Sequence, residues 1–409
     1  MIAGSARLCK LIASCLLGAG LAACSIGGLD LDALRTIPGQ PRAMQQQAFP
    51  SMQGQIAPMG AAVANAETIG RGPVKVALLL PLSGDPSMVA AGQAMANGAR
   101  LAMSYIESNP KIADNISLSL RDTGTSADGA ARQAQAAVAE GASLVLGPVM
   151  GDQVGPASMI TRSANLPMIA FSSNGAAAGP GVYLLSVLPE VEVRRALSYA
   201  KAQGKRRVAG LFPATNLGSV HKAAFEQGVF ELGLTAGPSL SFSNDGELTA
   251  AMQRLAQVKG VDALYLPDRQ SAGRVAAALG ATGVKPGLIL GSSQWTGANE
   301  LFGIPSLSGA VFPAVDDVGL RAITPEYVAR FGTQPLPLAT IAYTAVILVN
   351  NSRLSLSVPK FDRAVLTSQS GFTGRDGVFR FLADGRSQYA LVIKRIGGGG
   401  ASVVDGAKL

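Results

Sequence analysis

Short apolar runs alternate with longer amphipathic or alanine-rich segments along most of this chain. The first run, Val74 to Leu80, is almost entirely branched or apolar, which is typical of a strand buried on both faces. The pair Ser83-Gly84 then breaks the strand, Asp85 is a favourable N-cap, and Pro86 suits the first position of a helix. The pattern predicts a strand, a short loop and a helix N-terminus.

The same rhythm predicts a parallel sheet and then a second one. Further strands of the first series are predicted at Ile116–Arg121, Ser143–Leu146 and Met168–Phe171, with helices between them. After an extended piece at 183–188 the series restarts, with strands predicted at Val208–Phe212, Leu240–Ser243, Ala263–Leu266 and Leu288–Leu290. We expect an α/β fold of two doubly wound parallel-sheet lobes, joined by several crossovers into a clamshell with a ligand cleft.

The last part of the chain is predicted to cross back between the lobes. It holds a strand at Gly309–Val315, a helix at Leu338–Asn350, and a hairpin of Gly377–Leu382 and Tyr389–Ile396 turned by Asp384-Gly385. The expected organisation is a signal peptide at 1–23, a tether at 24–72, a two-lobed domain at 73–396 and a loose tail at 397–409. Within the domain, lobe 1 is assigned about 73–188 and 314–370, and lobe 2 about 189–313 and 371–396.

The N-terminus has the pattern of a lipoprotein signal peptide. Arg7 and Lys10 precede an apolar run that is too short for a membrane span, and the run ends in Leu-Ala-Ala-Cys at Cys24. This matches the lipobox, in which small residues admit the peptidase and the Cys thiol accepts a diacylglyceryl group. Ser25 follows, and a residue other than Asp at this position resembles the signal for passage to the outer membrane. We expect a lipid-anchored periplasmic protein and no cofactor besides that lipid.

The segment between Cys24 and Gly72 is rich in Gln, Ala, Pro, Met and Gly, which predicts a flexible tether. Cys9 and Cys15 leave with the signal peptide, so the mature chain keeps one Cys and no intrachain disulfide. Removal of the signal peptide, which carries Arg7 and Lys10, also lowers the formal charge from +8 to +6. This excess suits either solubility or an anionic wall polymer or lipid surface. No dense basic stripe with interleaved aromatics indicates nucleic-acid binding.

Enzyme chemistry finds little support in the residue inventory. The chain has a single histidine, His221, and no free Cys after processing, so Ser-His-Asp, Cys-His and His-rich zinc sites have no complete residue set. No phosphate-binding glycine motif follows a strand. The adjacent carboxylates Asp316 and Asp317 fit a solvated turn. A non-enzymatic role is therefore predicted.

Four motifs resemble the leucine-binding-protein type of periplasmic binding protein over roughly 74–396. They are Val-Ala-Leu-Leu-Leu-Pro-Leu-Ser-Gly at 76–84, Leu-Val-Leu-Gly-Pro at 144–148, Leu-Pro-Met-Ile-Ala-Phe-Ser at 166–172, and Phe-Thr-Gly at 372–374 followed by Gly-Val-Phe-Arg-Phe at 377–381. With Val182-Tyr183, Glu190 and Arg194-Arg195, the chain looks most like the C-terminal domain of the penicillin-binding-protein activators. In place of the helical-repeat domain of the best-known activators, the tether precedes Val74.

The resemblance implies a cleft lined by the loops at the carboxyl ends of the strands. Amino-acid receptors of this type hold the ligand carboxylate with loops that correspond to Gly147–Asp152 and Ser172–Asn174 here. Their ammonium site corresponds to Leu217-Gly218 and to Ser292 or Ser293, so the tyrosine and the carboxylate are missing; Asp268 is a candidate substitute or a helix cap. The candidate ligand-binding residues are Ser83, Gly84, Gly147, Met150, Gly151, Ser172, Ser173, Asn174, Asp268, Ser293 and Trp295. For Trp295 three roles are open: stacking on a sugar, wedging against a partner or packing in the core.

Two functions are consistent with this sequence. The first is a lipid-anchored activator of a bifunctional penicillin-binding protein in peptidoglycan synthesis, with a muropeptide as a conceivable cleft ligand. The second is the substrate receptor of a branched-chain amino-acid or amide ABC transporter, whose partner is a permease. The signal pattern, the long tether and the lost ammonium site favour the first, while the near-complete binding-protein domain favours the second.

Overall fold

The computed structural model of the protein describes residues 66–409. The predicted signal peptide, the predicted lipidation site Cys24 and most of the predicted tether lie outside these residues. Of the helices within 66–409, none combines the length and the apolar character that crossing a membrane requires.

The first lobe begins with alternating strands and helices. Their bounds are β1 Glu67–Ile69, β2 Val74–Leu80, α1 Pro86–Ser108, β3 Ile116–Asp122, α2 Ala127–Ala139, β4 Leu144–Leu146, α3 Gly151–Ser163, β5 Met168–Ala170 and β6 Val182–Leu184. Asp85 accepts hydrogen bonds from the amides of Ser87 and Met88, and Pro86 occupies the first turn of α1. The predicted strand at 74–80 and the predicted helix start are both confirmed.

The second lobe repeats the alternation. Its elements are α4 Pro189–Ala202, β7 Arg207–Pro213, α5 Asn216–Glu231, β8 Thr235–Phe242, α6 Asp245–Ala256, β9 Ala263–Tyr265, α7 Arg269–Thr282, β10 Leu288–Leu290, α8 Asn299–Phe302 and β11 Val311–Ala314. The rest of the chain forms α9 Val318–Phe331, α10 Leu338–Asn350, α11 Ser352–Ser355, α12 Arg363–Leu366, β12 Phe372–Gly374, β13 Gly377–Phe381, β14 Ser387–Tyr389, β15 Leu391–Gly397 and β16 Gly400–Lys408.

The two large sheets share one topology. The first has the order β1-β3-β2-β4-β5-β6 and the second β16-β15-β11-β10-β9-β7-β8. Strands β2 to β6 run parallel, as do β7 to β11, while β1, β15 and β16 are antiparallel additions at the edges. In both parallel sets the first strand lies between the second and the third. This arrangement creates a switch point at the carboxyl ends of each sheet, where ligands collect in doubly wound folds.

The core of the first lobe depends on residues from distant parts of the chain. Helix α10 lies against α1, and both contribute to the cluster that covers one face of the first sheet. The helices approach closely at Gly98, where an added Cβ would lie 2.1 Å from the carbonyl oxygen of Ala339. The second lobe has its own clusters on the two faces of its sheet.

The structure corrects the expected division of residues 371–396. Strands β12 to β14 form a separate antiparallel sheet, and Phe379, Phe381 and Tyr389 pack into the first-lobe core rather than the second lobe. The Asp384-Gly385 turn joins β13 to β14, as predicted, but the hairpin ends there. Only β15 continues into the second sheet, beside β11. The apolar side chains of β13 are therefore buried in the core of the first lobe and not in the second lobe, as the order along the chain suggested.

The predicted loose tail at 397–409 is wrong, because residues Gly400–Lys408 form strand β16 on β15. Gly398 and Gly399 have φ angles of +59° and +77° and make the two-residue turn between these strands. The glycine run that suggested looseness supplies the left-handed conformations that a tight hairpin requires. The end of the predicted tether is corrected in the same way, since Glu67–Ile69 pairs with β3 as strand β1.

Candidate functional site

The loop after β2 is organised around a carboxylate that the sequence analysis did not single out. Asp122, at the end of β3, accepts hydrogen bonds from the amides of Leu82 at 2.9 Å, Ser83 at 3.1 Å and Gly124 at 2.8 Å. The pKa of Asp122 is lowered from its ordinary value. Burial is the largest single influence and raises this pKa, but the hydrogen bonds from Ser83, Gly124 and Leu82 together outweigh burial. The predicted site residues Ser83 and Gly84 thus lie at the strand end, with the Ser83 amide already bound within the lobe.

The loops after β4 and β5 lie side by side, as the resemblance implied. An added Cβ on Gly151 would lie 3.1 Å from Oγ of Ser172 and 3.2 Å from Cβ of Asn174. Gly147 has a φ of +90°, and an added Cβ there would lie 2.2 Å from the carbonyl oxygen of Leu79. Only glycine allows this turn, which places the start of α3 beside the β5 loop.

This pair of loops offers hydrogen-bond donors to an anion. Helix α3 begins after Met150 without a side-chain cap, so its first amide groups have no carboxylate or hydroxyl partner in the described chain. Ser172 is buried and its Oγ accepts from the amide of Asn174 at 3.1 Å, whereas Ser173 is exposed. The six predicted residues of these two loops therefore lie at the carboxyl ends of β4 and β5, where Gly147 and Ser172 are buried and Ser173 and Asn174 are exposed.

Helix α4 carries two carboxylates that face different lobes. Glu190 lies beside the β5 loop, where an added Cβ on Gly175 would be 2.6 Å from its Oε1, and its carboxylate is 3.6 Å from Arg386. Glu192 accepts hydrogen bonds from the Ser293 amide at 3.0 Å and the Ser293 hydroxyl at 2.6 Å. The first turn of α4, immediately after the first crossover, contacts the loops of both lobes.

Glu192 is a buried carboxyl group that the sequence analysis missed. Burial raises its pKa to about 7, against the opposing effect of the two hydrogen bonds from Ser293. Its position in an amphipathic helix gave no signal, since the partner Ser293 is about a hundred residues away. The predicted site residue Ser293 is thus bound to a side chain of its own protein.

Two other predicted residues of the second lobe have structural roles. Trp295 is fully buried and lies 6.2 Å from Phe312 between ring centroids, so its indole is not exposed to a ligand or a partner. The proposed stacking role is therefore wrong and the packing alternative holds. Asp268 accepts the Ser271 amide at 2.8 Å as the N-cap of α7, which agrees with the capping alternative.

The single histidine is a core residue. His221 is buried, and its Nδ1 lies 2.9 Å from the hydroxyl of Tyr265. Burial lowers the pKa of His221 to about 4, while nearby Asp268 acts in the opposite direction. Burial also raises the pKa of Tyr265. This neutral pair stacks into the aromatic cluster of the second lobe and has no nucleophile beside it among the described contacts.

The sequence matches the periplasmic binding protein family over residues 73–351, while no curated protein sequence matches it. Solved structures share the fold at low identity. A putative branched-chain amino-acid ABC transporter protein from Rhodospirillum rubrum has 20% identity and a TM-score of 0.71, covering 81% of this chain and 99% of that one. The LpoA C-domain from Haemophilus influenzae, a regulator of PBP1A, has 18% identity and a TM-score of 0.61, with 81% and 99% covered.

A solute-binding protein of an R. palustris ABC transporter, solved with benzoate, has 18% identity and a TM-score of 0.58, covering 82% of this chain and 98% of that one. At these identities the likeness concerns the fold. The family match extends over more than half of the chain and over both lobes. The chain therefore belongs to the periplasmic binding protein family.

Proposed function

We propose that this protein is a non-enzymatic, lipid-anchored activator of a bifunctional penicillin-binding protein, held at the periplasmic face of the outer membrane through Cys24. The lipobox pattern and Ser25 support the anchor. The fold shared with the LpoA C-domain, described as a regulator of PBP1A, supports the role. In this proposal the chain acts through contact with a synthase.

The observation that carries the proposal is that the polar groups at the rim of the second lobe are already hydrogen-bonded within the protein. Asp268 caps α7, Ser292 Oγ donates to the carbonyl of Pro267 at 2.6 Å, and Ser293 donates twice to Glu192. Capturing a free amino acid requires a carboxylate for its ammonium group, because a buried unpaired ammonium is costly by several kcal/mol. These groups are already used within the lobe, which weighs against an amino-acid receptor.

The decisive experiment measures the activity of a peptidoglycan synthase with and without this protein. The mature acylated chain in detergent would be added to a bifunctional peptidoglycan synthase of the same organism, and glycan polymerisation and cross-linking would be followed. We expect stimulation that saturates near equal amounts of the two proteins. A matched control is the acylated chain after heat unfolding, which should have no effect. Unchanged synthase rates across all synthases of the organism would reject the proposal.

A second candidate function rests on the first lobe. The uncapped start of α3 beside Ser172 and Asn174 offers amide donors to a carboxylate, while the second lobe offers no free carboxylate at the positions described above. This half-site favours an ABC-transporter receptor for an organic acid without an amino group, and one structural neighbour was solved with benzoate.

Thermal unfolding with a ligand panel separates the two functions. A receptor saturated at 100 times its dissociation constant gains about 2.7 kcal/mol, which raises the unfolding midpoint by several degrees. For the activator we expect no such shift with amino acids, amides or aromatic acids. A shift with benzoate that Gly151→Val abolishes would favour the receptor, since the added side chain would collide with Ser172.

A further inference from the structure

The segment 354–361, which we name the Val358 loop, presents two apolar side chains to solvent. Leu356 is 51% exposed and Val358 is 98% exposed, the highest value of any large apolar residue in the described part of the chain. Single exposed apolar side chains are common on protein surfaces, so exposure alone does not define a site. The internal bonds of this loop and the charges around it favour a specific role.

The Val358 loop is closed and braced by its own hydrogen bonds. Leu354 and Phe361, at its two ends, are buried in the core of the first lobe. The amide of Phe361 donates to the carbonyl oxygen of Leu354 at 2.7 Å, which brings the two ends together. The hydroxyl of Ser357 lies 2.8 Å from the carbonyl oxygens of both Leu354 and Pro359. Because both ends are fixed in the core, the apolar side chains between them are held outward.

Three exposed cations accompany these apolar side chains, namely Arg353, Lys360 and Arg363. Arg363 also donates to the carbonyl oxygen of Ala383 at 3.0 Å, a neutral partner that leaves its charge uncompensated. Asp362 is the one acid in the sequence between positions 351 and 364, and its carboxylate caps the short helix α12. An apolar tip flanked by Lys and Arg is typical of surfaces that meet anionic lipid, where the cations bind headgroup phosphates.

The most exposed aromatic side chain has the opposite surroundings. Phe230, near the end of α5, is 85% exposed. Glu226 lies one turn before it and Glu231 follows it, and both are exposed. These carboxylates would be repelled by an anionic surface. Exposed apolar side chains and positive charge therefore coincide at the Val358 loop and not at Phe230.

The Val358 loop lies at the end of the first sheet opposite to the cleft. The amide of Asn115, just before β3, donates to Oδ1 of Asn350 at 2.9 Å, and Nδ2 of Asn115 donates to the carbonyl oxygen of Asn350 at 2.8 Å. These bonds place the last turn of α10 at the start of β3, and the Val358 loop follows directly. A surface bound there leaves the loops after β2, β4 and β5 open.

We propose that the Val358 loop docks on the surface of an anionic phospholipid membrane. Leu356 and Val358 enter the apolar boundary of the bilayer, and Arg353, Lys360 and Arg363 contact lipid phosphates. A specific protein interface engages about 20–30 residues on each side, far more than this loop supplies, whereas insertion into lipid needs no complementary surface.

The proposal rests on the loop and its charges, and it is independent of the activator function and of acylation at Cys24. If Cys24 is acylated as proposed, the predicted tether keeps the Val358 loop close to the same membrane. The contact is then intramolecular in effect, so that a weak affinity is sufficient to hold the first lobe against the lipid.

The test is co-sedimentation of the full mature chain carrying Cys24→Ser, which has no lipid of its own, with phosphatidylcholine vesicles that contain or lack phosphatidylglycerol. We expect binding to be about tenfold weaker without the anionic lipid and to fall with salt. Val358→Ser should weaken binding about tenfold and Lys360→Gln about fivefold. The matched controls Phe230→Ser and Lys285→Gln, at exposed positions of the second lobe, should leave binding unchanged.

A dye at position 358 locates the contact, which matters because the whole chain is cationic. In the chain with Cys24→Ser, Val358→Cys supplies the single thiol, since Cys9 and Cys15 leave with the predicted signal peptide. We expect the emission of an environment-sensitive dye at 358 to shift to shorter wavelength on anionic vesicles and to be quenched by brominated lipid. The same dye on Phe230→Cys should stay in water.

Three results would overturn the proposal. One is the absence of binding to anionic vesicles. Another is binding that Val358→Ser and Phe230→Ser leave equally strong, or that Lys360→Gln and Lys285→Gln weaken equally, since the contact would then be a general effect of charge. The third is a dye at 358 that stays in water while the chain binds, which would assign the contact to another surface and leave a protein as the partner of the Val358 loop.

Discussion

The carboxyl group of Glu192 lies out of water between the first turn of α4 and the loop after β10. Its hydrogen bonds to Ser293 join the first crossover to the second lobe. Burial nevertheless dominates and raises its pKa from 4.5 to about 7. A carboxyl group with a raised pKa favours folding when it is protonated. Its contribution is complete below pH 4.5 and is lost as the pH rises through about 7.

Glu192→Gln should remove this pH dependence. The raised pKa corresponds to a contribution on the order of 3 kcal/mol to the difference in unfolding free energy between pH 4.5 and a pH above 7. Urea unfolding of the variant and of the wild type at pH 5 and pH 8 measures it. We expect the variant to gain stability relative to the wild type at pH 8. The exposed Glu226→Gln serves as control, and equal pH profiles for all three proteins would contradict the prediction.

At the scale of single residues, contacts between neighbours along the chain could be predicted, and contacts between distant residues could not. The cap of α1 by Asp85 and the cap of α7 by Asp268 were foreseeable, because each involves an amide two or three residues away. The burial of Trp295 and the Glu192–Ser293 pair depend on tertiary neighbours that no local pattern reveals. Similarly, Leu82 and Ser83, two of the three partners of Asp122, lie about forty residues upstream, although an acid at the end of a predicted strand was a visible signal.

At the scale of elements, the contact between α1 and α10 requires a missing side chain. Gly98→Ala should destabilise the protein although alanine favours helices, because its Cβ would overlap the carbonyl oxygen of Ala339. We expect a loss of about 1–3 kcal/mol in chemical unfolding. Gly280→Ala in α7 is the control, since nothing lies within 4 Å of an added Cβ there, and should stabilise by about 0.5–1 kcal/mol. Equal effects of both substitutions would refute this explanation.

Strand β16 is held in place by one buried guanidinium. Arg195 donates to the carbonyl oxygen of Leu391 at 2.7 Å, to Asp405 at 2.6 Å and to the carbonyl oxygen of Gly406 at 2.9 Å. This contact could not be predicted from the local pattern, because Arg195 and its neighbour Arg194 look equivalent in a helix. Their surroundings differ, with side chains 8% and 56% exposed.

Arg195→Met should release β16 while Arg194→Met should not. Removing the buried cation takes a donor from the carbonyl oxygens of Leu391 and Gly406, while Asp405 keeps its ion pair with Lys408, and the lost hydrogen bonds cost about 1–3 kcal/mol locally. Hydrogen exchange of amides in residues 400–408 measures the effect. We expect exchange at least tenfold faster in Arg195→Met and unchanged in Arg194→Met. Equal protection of β16 in both variants would show that the strand pairing alone is sufficient.

At the scale of the whole molecule, the repeated strand order was largely foreseeable and the assignment of the last segments was not. The sequence pattern placed β2 to β5, β7, β9 and β10 within one residue at each end. Strand β8 begins at Thr235, five residues before the predicted strand at 240–243, because its first residues are polar, small or proline. Strands β12 to β16 are assigned to sheets by packing, and their apolar content does not say which core they join. The chain crosses between the lobes after β6, after β11 and after β14.

Because the chain crosses between the lobes three times, we expect the two lobes to unfold together. The single tryptophan, Trp295, reports on the second lobe, whereas far-ultraviolet circular dichroism reports on both. Because loss of either lobe releases segments that continue into the other, we expect both signals to give the same urea midpoint. As a control, the unfolding of Trp295→Phe is measured by circular dichroism alone, which shows whether the fluorescent side chain itself affects the urea midpoint. Two separate midpoints for the wild type would contradict a single cooperative transition.

The dependence of the first lobe on α10 has a consequence for the order of synthesis. Strands β2 to β6 and helix α1 emerge early, but α10, which completes the cover over one face of their sheet, is made only after the whole parallel sheet of the second lobe. During translation, α1 alone covers that apolar face until residues 338–350 arrive. Strands β7 to β11 and their helices form a contiguous stretch and meet no such delay. The N-terminal half of this protein is thus the part that most needs a holding chaperone, and the last to acquire its core.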